Sequence, residues 1–182
     1  MSASLVGSEM CIRDRYNYEQ KGMKITLIKP SIDTKGKENV VSRIGIERAV
    51  DIILLPTEKI IDRMKPIKPD AIIVDEAQFL TREQVDELYS FTKFYDIPVL
   101  CYGLRCDFQM NGFEGSTRLL EIADDIEELK TICQCGEKAT QNLRLINNQP
   151  VFEGNQVVID DHTQVEYEGV CGKCYLKTRR GY

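Results

Sequence analysis

Long apolar runs are missing: no stretch of these 182 residues approaches the roughly 20 that would span a bilayer. The first 15 residues also lack the long apolar core of a secretory signal. Positive charge is not in excess. A formal net charge of −5 argues against broad electrostatic binding to nucleic acid or to an anionic membrane. Histidine is reduced to one residue, His162, read as solvated, so Cys101 and Cys106 have no imidazole nearby in sequence and read as packing thiols. Internal repeats and low-complexity linkers are absent as well. What is present is ordinary for a globular chain: 42% apolar and 29% charged residues. The length points to one domain, or one domain with a small appendage. Seven cysteines without export features point to a reducing compartment, where thiols serve metals more often than disulfides, so a cytoplasmic location is expected.

The most telling run is Ala71-Ile72-Ile73-Val74, followed by Asp75-Glu76-Ala77-Gln78-Phe79. Four apolar residues read as a strand buried on both faces. It ends in two adjacent carboxylates, and the carboxyl end of a parallel strand is where nucleotide-binding folds place the acid that holds Mg²⁺. Successive side chains on a strand point to opposite faces, so Asp75 can hold a metal while Glu76 handles a proton. Acidic pairs also end many strands with no such role, and the pair alone leaves both readings open.

The apolar pattern predicts further strands at 24–28, 52–55 and 97–102. Between the last two strands a helix is predicted over 81–95, with Thr81 and Gln84 at capping-box spacing and Val85, Leu88, Tyr89 and Thr92 on one face. A second helix is predicted over 117–130, with Leu119, Ile122, Ile126 and Leu129 facing inward. Strands alternating with helices imply an α/β fold, a mainly parallel sheet covered on both faces. After Thr131 the character changes to short β-prone pieces (143–146, 150–152, 156–159, 165–168) around a turn at Asn147-Asn148.

In that tail Cys133-Gln134-Cys135-Gly136 is answered by Cys171-Gly172-Lys173-Cys174 across about 35 residues. Two close cysteine pairs flanking a β-rich stretch have the layout of a zinc ribbon, since tetrahedral Zn²⁺ needs four ligands. Buried thiols or two redox-active pairs are the alternatives. Four protein ligands leave no open position, so such a site stabilises rather than catalyses, and a ribbon this small could not hold a core without its metal.

Taken together these residues resemble the type II thymidine kinases, a family with a P-loop α/β domain and a small zinc-bearing lasso domain. The resemblance covers about residues 16–182. It rests on Tyr16-Asn17-Tyr18-Glu19 before Gly22-Met23-Lys24, Ile28-Lys29-Pro30 with Asp33-Thr34, Ser42-Arg43-Ile44-Gly45, and Val74-Asp75-Glu76-Ala77-Gln78-Phe79-Leu80. Tyr102-Gly103-Leu104 with Asp107-Phe108, Leu129-Lys130-Thr131-Ile132-Cys133, both cysteine pairs and Tyr167 complete it.

The resemblance implies transfer of the ATP γ-phosphoryl to the thymidine 5′-hydroxyl, giving dTMP for pyrimidine salvage, with Mg²⁺ and a structural zinc. Glu76 would be the general base and Asp75 the Mg²⁺ ligand, with Ala77 and Gln78 beside them at the nucleotide. A carboxylate suits the base role because phosphoryl transfer is mostly positioning and charge neutralisation. Asp33 and Lys35 would help fix the hydroxyl and the phosphates. Lys35 stands where the family has arginine, which keeps the charge and loses the fork. Phe79, Leu104, Phe108 and Phe113 would pack around thymine, with Tyr167 closing from the lasso. Asn142 falls near a position that faces the base in relatives. Asp160-Asp161 follows Ile159 where relatives often carry Gly-Gly, and the loop onward to Tyr167 is about two residues longer. Zinc ligands would be Cys133, Cys135, Cys171 and Cys174; the partners would be thymidine and ATP, with no nucleic acid or membrane, in a homotetramer.

One departure is large. A P-loop kinase needs a glycine-rich turn with Lys and Ser/Thr to wrap the phosphates, and the chain contains no Gly-Lys-Ser/Thr. The family places that loop just upstream of Tyr16, where residues 1–15 resemble translated sequencing-adapter sequence. The expected organisation is therefore a foreign segment over 1–15 replacing a central strand and the P-loop, an incomplete kinase domain over 16–130, and a zinc-ribbon domain over 131–182. Two rival functions remain on residues alone: a helicase-type ATPase fragment, from the Asp-Glu-Ala-Gln box, and a non-catalytic zinc-ribbon adaptor.

Overall fold

The computed structural model describes residues 3–33, 39–41, 45–156 and 165–181, with side chains from Ser8 onward. The residues fall into two compact units, one holding Ser4–Leu104 and Phe113–Ile126, the other Arg105–Gly112 and Glu127–Tyr182. The mid-chain segment Arg105–Gly112 thus groups with the C-terminal residues.

In the first unit, strands β1 (Ile25–Pro30), β4 (Ile52–Leu54), β5 (Ala71–Val74) and β6 (Val99–Cys101) form a parallel sheet in the order β4-β1-β5-β6. A short antiparallel pair, β2 (Asn39–Val41) and β3 (Glu47–Ala49), lies between β1 and β4 in sequence. The helices are α1 (Ala3–Glu19), α2 (Ile60–Met64), α3 (Arg82–Phe94) and α4 (Glu114–Ile122). This is the expected α/β architecture.

Period-2 alternation along β5 divides the core between the sheet's faces. Ile72 and Val74 join Ile28, Ile52 and Leu54 beneath α2 and α3, through Ile60, Met64, Val85, Leu88 and Phe91. Ala71 and Ile73 join Ile25 and Leu27 on the other face, where Cys11 and Ile12 of α1 cover them. The segment expected to be foreign therefore contributes buried side chains to this fold.

Several boundaries differ from the sequence reading. Strand β1 runs through Lys29 to Pro30 instead of closing at 28, because Pro30 is its last residue and pairs with Leu54. β6 begins at Val99; the Pro98 carbonyl still accepts from the Ile72 amide. Helix α3 has its capping box: the Gln84 amide donates to Thr81 Oγ1 (3.3 Å) and the Thr81 amide to Gln84 Oε1 (3.1 Å). Its buried face is Val85, Leu88 and Phe91, while Tyr89 is outside and lies under Lys93. Helix α4 starts three residues before 117 and stops at Ile122. Ala123 turns extended so that Asp124 reaches Lys93 of α3 at 2.7 Å, and Ile126, expected inside, is exposed.

In the second unit, β7 (Gln141–Ile146), β8 (Gln149–Val151) and β9 (Val165–Val170) form an antiparallel sheet in the order β8-β7-β9. Asn147 and Asn148 both take positive φ, the two-residue hairpin turn that asparagine tolerates. Helix α5 (Gly172–Arg180) was not anticipated, because Cys171–Cys174 reads as a turn. The Cys171 thiol caps it by accepting from the Cys174 amide, Tyr175 is fully buried against the sheet, and Gly181 ends it at φ 72°. The expected strand at 156–159 falls largely outside the described residues.

Candidate active site and metal centre

Parallel register brings the carboxyl ends of β1 and β5 together. Ile28 pairs with Val74, and the Asp75 amide donates to the Ile28 carbonyl at 3.0 Å. That edge gathers Asp33, Asp75 and Glu76. Asp75 is buried, and its carboxyl is pushed up to about 7, by burial first and by the Glu76 charge second. The Ser8 hydroxyl of α1 donates to Asp75 Oδ2 at 2.8 Å and pulls the other way. Carboxylate oxygens are the donor type that suits a hard ion such as Mg²⁺.

Glu76 sits in the left-handed region (φ 50°, ψ 40°), where the strand turns into the 3₁₀ segment Ala77–Phe79. A non-glycine residue there is strained, and surrounding contacts must hold it. Gln78 supplies one of them: its Nε2 donates to Glu76 Oε2, while its Oε1 accepts from the Leu104 amide at 3.1 Å. The Ala77 amide donates to the Tyr102 carbonyl at 2.8 Å. This approach requires Gly103, since a Cβ there would lie 2.6 Å from Gln78 Oε1. Gln78 and Ala77, expected at the nucleotide, thus spend these groups on shaping the turn that carries Glu76.

Asp33 accepts a 2.9 Å ion pair from Lys29, a lysine only 2% exposed within β1. The motif alone assigns Lys29 no role, although a lysine inside an apolar strand is itself a signal. Lys35 lies outside the described residues, as do Asp160, Asp161 and His162. Phe79 and Phe113 pack edge to face with ring centres 5.6 Å apart, and Leu104 is half-buried.

In the second unit, Phe108 is buried and Tyr167 half-buried, and both contact Arg144. Sequence reasoning passed over Arg144. Asn142, read as facing a base, is buried and donates through Nδ2 to the Cys106 carbonyl at 3.0 Å. The Tyr175 hydroxyl donates to the Phe108 carbonyl at 2.6 Å. Both tie Arg105–Gly112 to the ribbon.

Cys133, Cys135, Cys171 and Cys174 come together with all four sulfurs within 4.8 Å of one another, Cys135 and Cys171 at 3.6 Å. Zn–S bonds of about 2.3 Å in a tetrahedron put sulfurs a little under 4 Å apart, so the donor set fits zinc. Backbone amides at Cys135 and Cys171 pull the Cys133 thiol down to about 7, while its sulfur neighbours, Cys135 first, hold Cys174 protonated. Deprotonated as a set, four sulfurs this close would repel one another unless a cation lay between them.

The thymidine kinase family model matches residues 6–175. The chain belongs to the thymidine kinase family. It is 41% identical to a thymidine kinase of Legionella pneumophila (strain Lens), over 96% of this chain and 84% of that one. It is 43% identical to the thymidine kinase of Enterobacteria phage T4, over 87% and 83%, and to one of Rhodopirellula baltica, over 90% and 79%. The family match starts at residue 6, inside the segment expected to be foreign. Membership makes this a phosphotransferase and does not favour the helicase and adaptor alternatives. Kinase chemistry implies ATP as donor. No helix among the described residues is long and apolar enough to cross a membrane.

Proposed function

We propose that the chain binds thymidine and Mg²⁺–ATP in the cytoplasm, and that its site serves transfer of the γ-phosphoryl group to the nucleoside 5′-hydroxyl, yielding dTMP. The observation that carries this reading is the Asp75-Glu76 pair. One carboxyl is buried and raised to about 7, and the other is held in a left-handed turn by Gln78. Glu76 takes the 5′-hydroxyl proton, and Asp33, oriented by Lys29, fixes the same hydroxyl together with Lys35. Asp75 would hold Mg²⁺, which when bound neutralises charge on the transferring phosphate. On the family resemblance, Phe79, Leu104 and Phe113 in one unit, and Phe108 and Tyr167 in the other, are each proposed for apolar contact with thymine. Zn²⁺ on the four cysteines is structural, and the assembly is a homotetramer, by family resemblance. The organisation proposed is a non-native segment over 1–15, a kinase domain over 16–130 and a zinc-ribbon domain over 131–182.

The chain carries no Gly-Lys-Ser/Thr to cradle phosphates, and alignment is most of this catalysis. Coupled ADP release with thymidine is therefore expected at trace rate from these 182 residues, and at normal rate once a Gly-x-x-x-x-Gly-Lys-Ser segment is restored upstream of Tyr16. In the restored enzyme Glu76→Gln should lower turnover by about 10³-fold. Unchanged turnover in that variant would sink the assignment.

A further inference from the structure

Arg144 of β7 is 1% exposed. Its guanidinium carbon lies 3.6 Å from the centre of the Phe108 ring and 5.3 Å from that of Tyr167. Nε donates to the Tyr167 hydroxyl oxygen at 2.9 Å, and the two terminal nitrogens donate to the carbonyls of Asn155 and Gln156, each at 2.8 Å. None of these partners among the described residues is a carboxylate. A buried guanidinium that meets no carboxylate among the described residues is unfavourable there, and apolar packing often stabilises such a position as well or better. What the guanidinium supplies, and an apolar chain cannot, is a rigid planar set of donors. Its geometry is the clue to its use.

We infer that Arg144 is a positioning residue for nucleoside binding, acting through Tyr167 and Phe108. The inference rests on the reading that these two rings meet the nucleoside. A guanidinium only donates, so the Tyr167 oxygen must accept. The phenolic proton is thereby turned away from Arg144, and no acceptor for it occurs among the described residues. So turned, it can be donated to an acceptor oxygen of the nucleoside, a base carbonyl or a sugar hydroxyl. The same cation covers Phe108 and so fixes that ring's plane. Gln156 closes the arrangement, its Nε2 donating to Asp107 Oδ2, next to Phe108, at 3.0 Å. Lysine in place of Arg144 could satisfy a carbonyl but could not serve the phenol and both carbonyls in one plane.

The test uses the 182-residue chain loaded with zinc, labelled thymidine in equilibrium dialysis, and nitrogen-15 NMR of the Arg144 Nε–H. In the ligand-free chain that proton should exchange far more slowly than in a free arginine, and its resonance should shift in Tyr167→Phe. Arg144→Lys is expected to keep its zinc and to bind thymidine roughly tenfold more weakly. In a Tyr167→Phe background the same change should add little, since coupled residues give non-additive losses. Additive losses, unchanged affinity in Arg144→Lys, or an Nε–H exchanging at the free rate would each overturn the inference. A parent chain that fails to bind thymidine overturns the proposed function instead, and the Nε–H then decides the arginine's arrangement by itself.

Discussion

Asp75 puts a carboxylate where charge is disfavoured. Its folded value of about 7 lies well above the ordinary 3.8, chiefly through burial. Below about pH 4 both folded and unfolded chains are protonated there and the group is neutral for stability. Between about pH 4 and pH 7 the unfolded chain loses its proton first, so the native state is penalised increasingly as pH rises, and fully above pH 7. Asp75→Asn should remove that penalty. In magnesium-free buffer its melting temperature is expected to match the parent's near pH 4 and exceed it by about 5 °C at pH 8. Equal differences at the two pH values would mean that the carboxyl is not raised. Added Mg²⁺ should narrow the gap by stabilising only the parent.

At the scale of elements, the turn bearing Glu76 is braced by the start of α4. A Cβ on Gly115 would stand 2.5 Å from the Ala77 carbonyl oxygen and 2.8 Å from that of Leu80, both backbone atoms with little room to yield. Gly115→Ala is expected to destabilise by about 3 kcal/mol, as overpacking does. Thr81→Ala, which removes only the cap of α3, should cost about 1 kcal/mol. Urea unfolding of the two variants should preserve that order; the reverse would show that α4 can shift off the turn at no cost.

For the molecule as a whole, the ribbon unit has a small core: Cys133, Leu143, Val170, Cys171 and Tyr175, of which two belong to the four-cysteine cluster. Removing zinc should therefore melt that unit. Because Asn142 and Tyr175 hold the carbonyls of Cys106 and Phe108, amides of Arg105–Gly112 should lose protection together with β7 and α5. Those of β1 and β5, with their own core, should keep theirs. Hydrogen exchange with and without a zinc chelator reads this out. Protection retained at 105–112 after chelation would place that segment's support elsewhere.

What the sequence determined by itself is what short-range chemistry fixes. Ala71–Val74 with its two acids, the Thr81–Gln84 cap and the Asn147-Asn148 turn depend on neighbours in the chain, and so could be read from it. The four cysteines could be read too, because metal ligation demands a spacing. Tertiary structure alone decided where Lys29 and Arg144 point, since a basic residue inside a strand is surface or strut depending on what packs over it. It also decided that Asn142 and Tyr175 hold the mid-chain segment, and that α4 unrolls at Ala123 to bring Asp124 to Lys93. Those outcomes hang on partners dozens of residues away, whose approach is set by strand register and burial rather than by any local pattern.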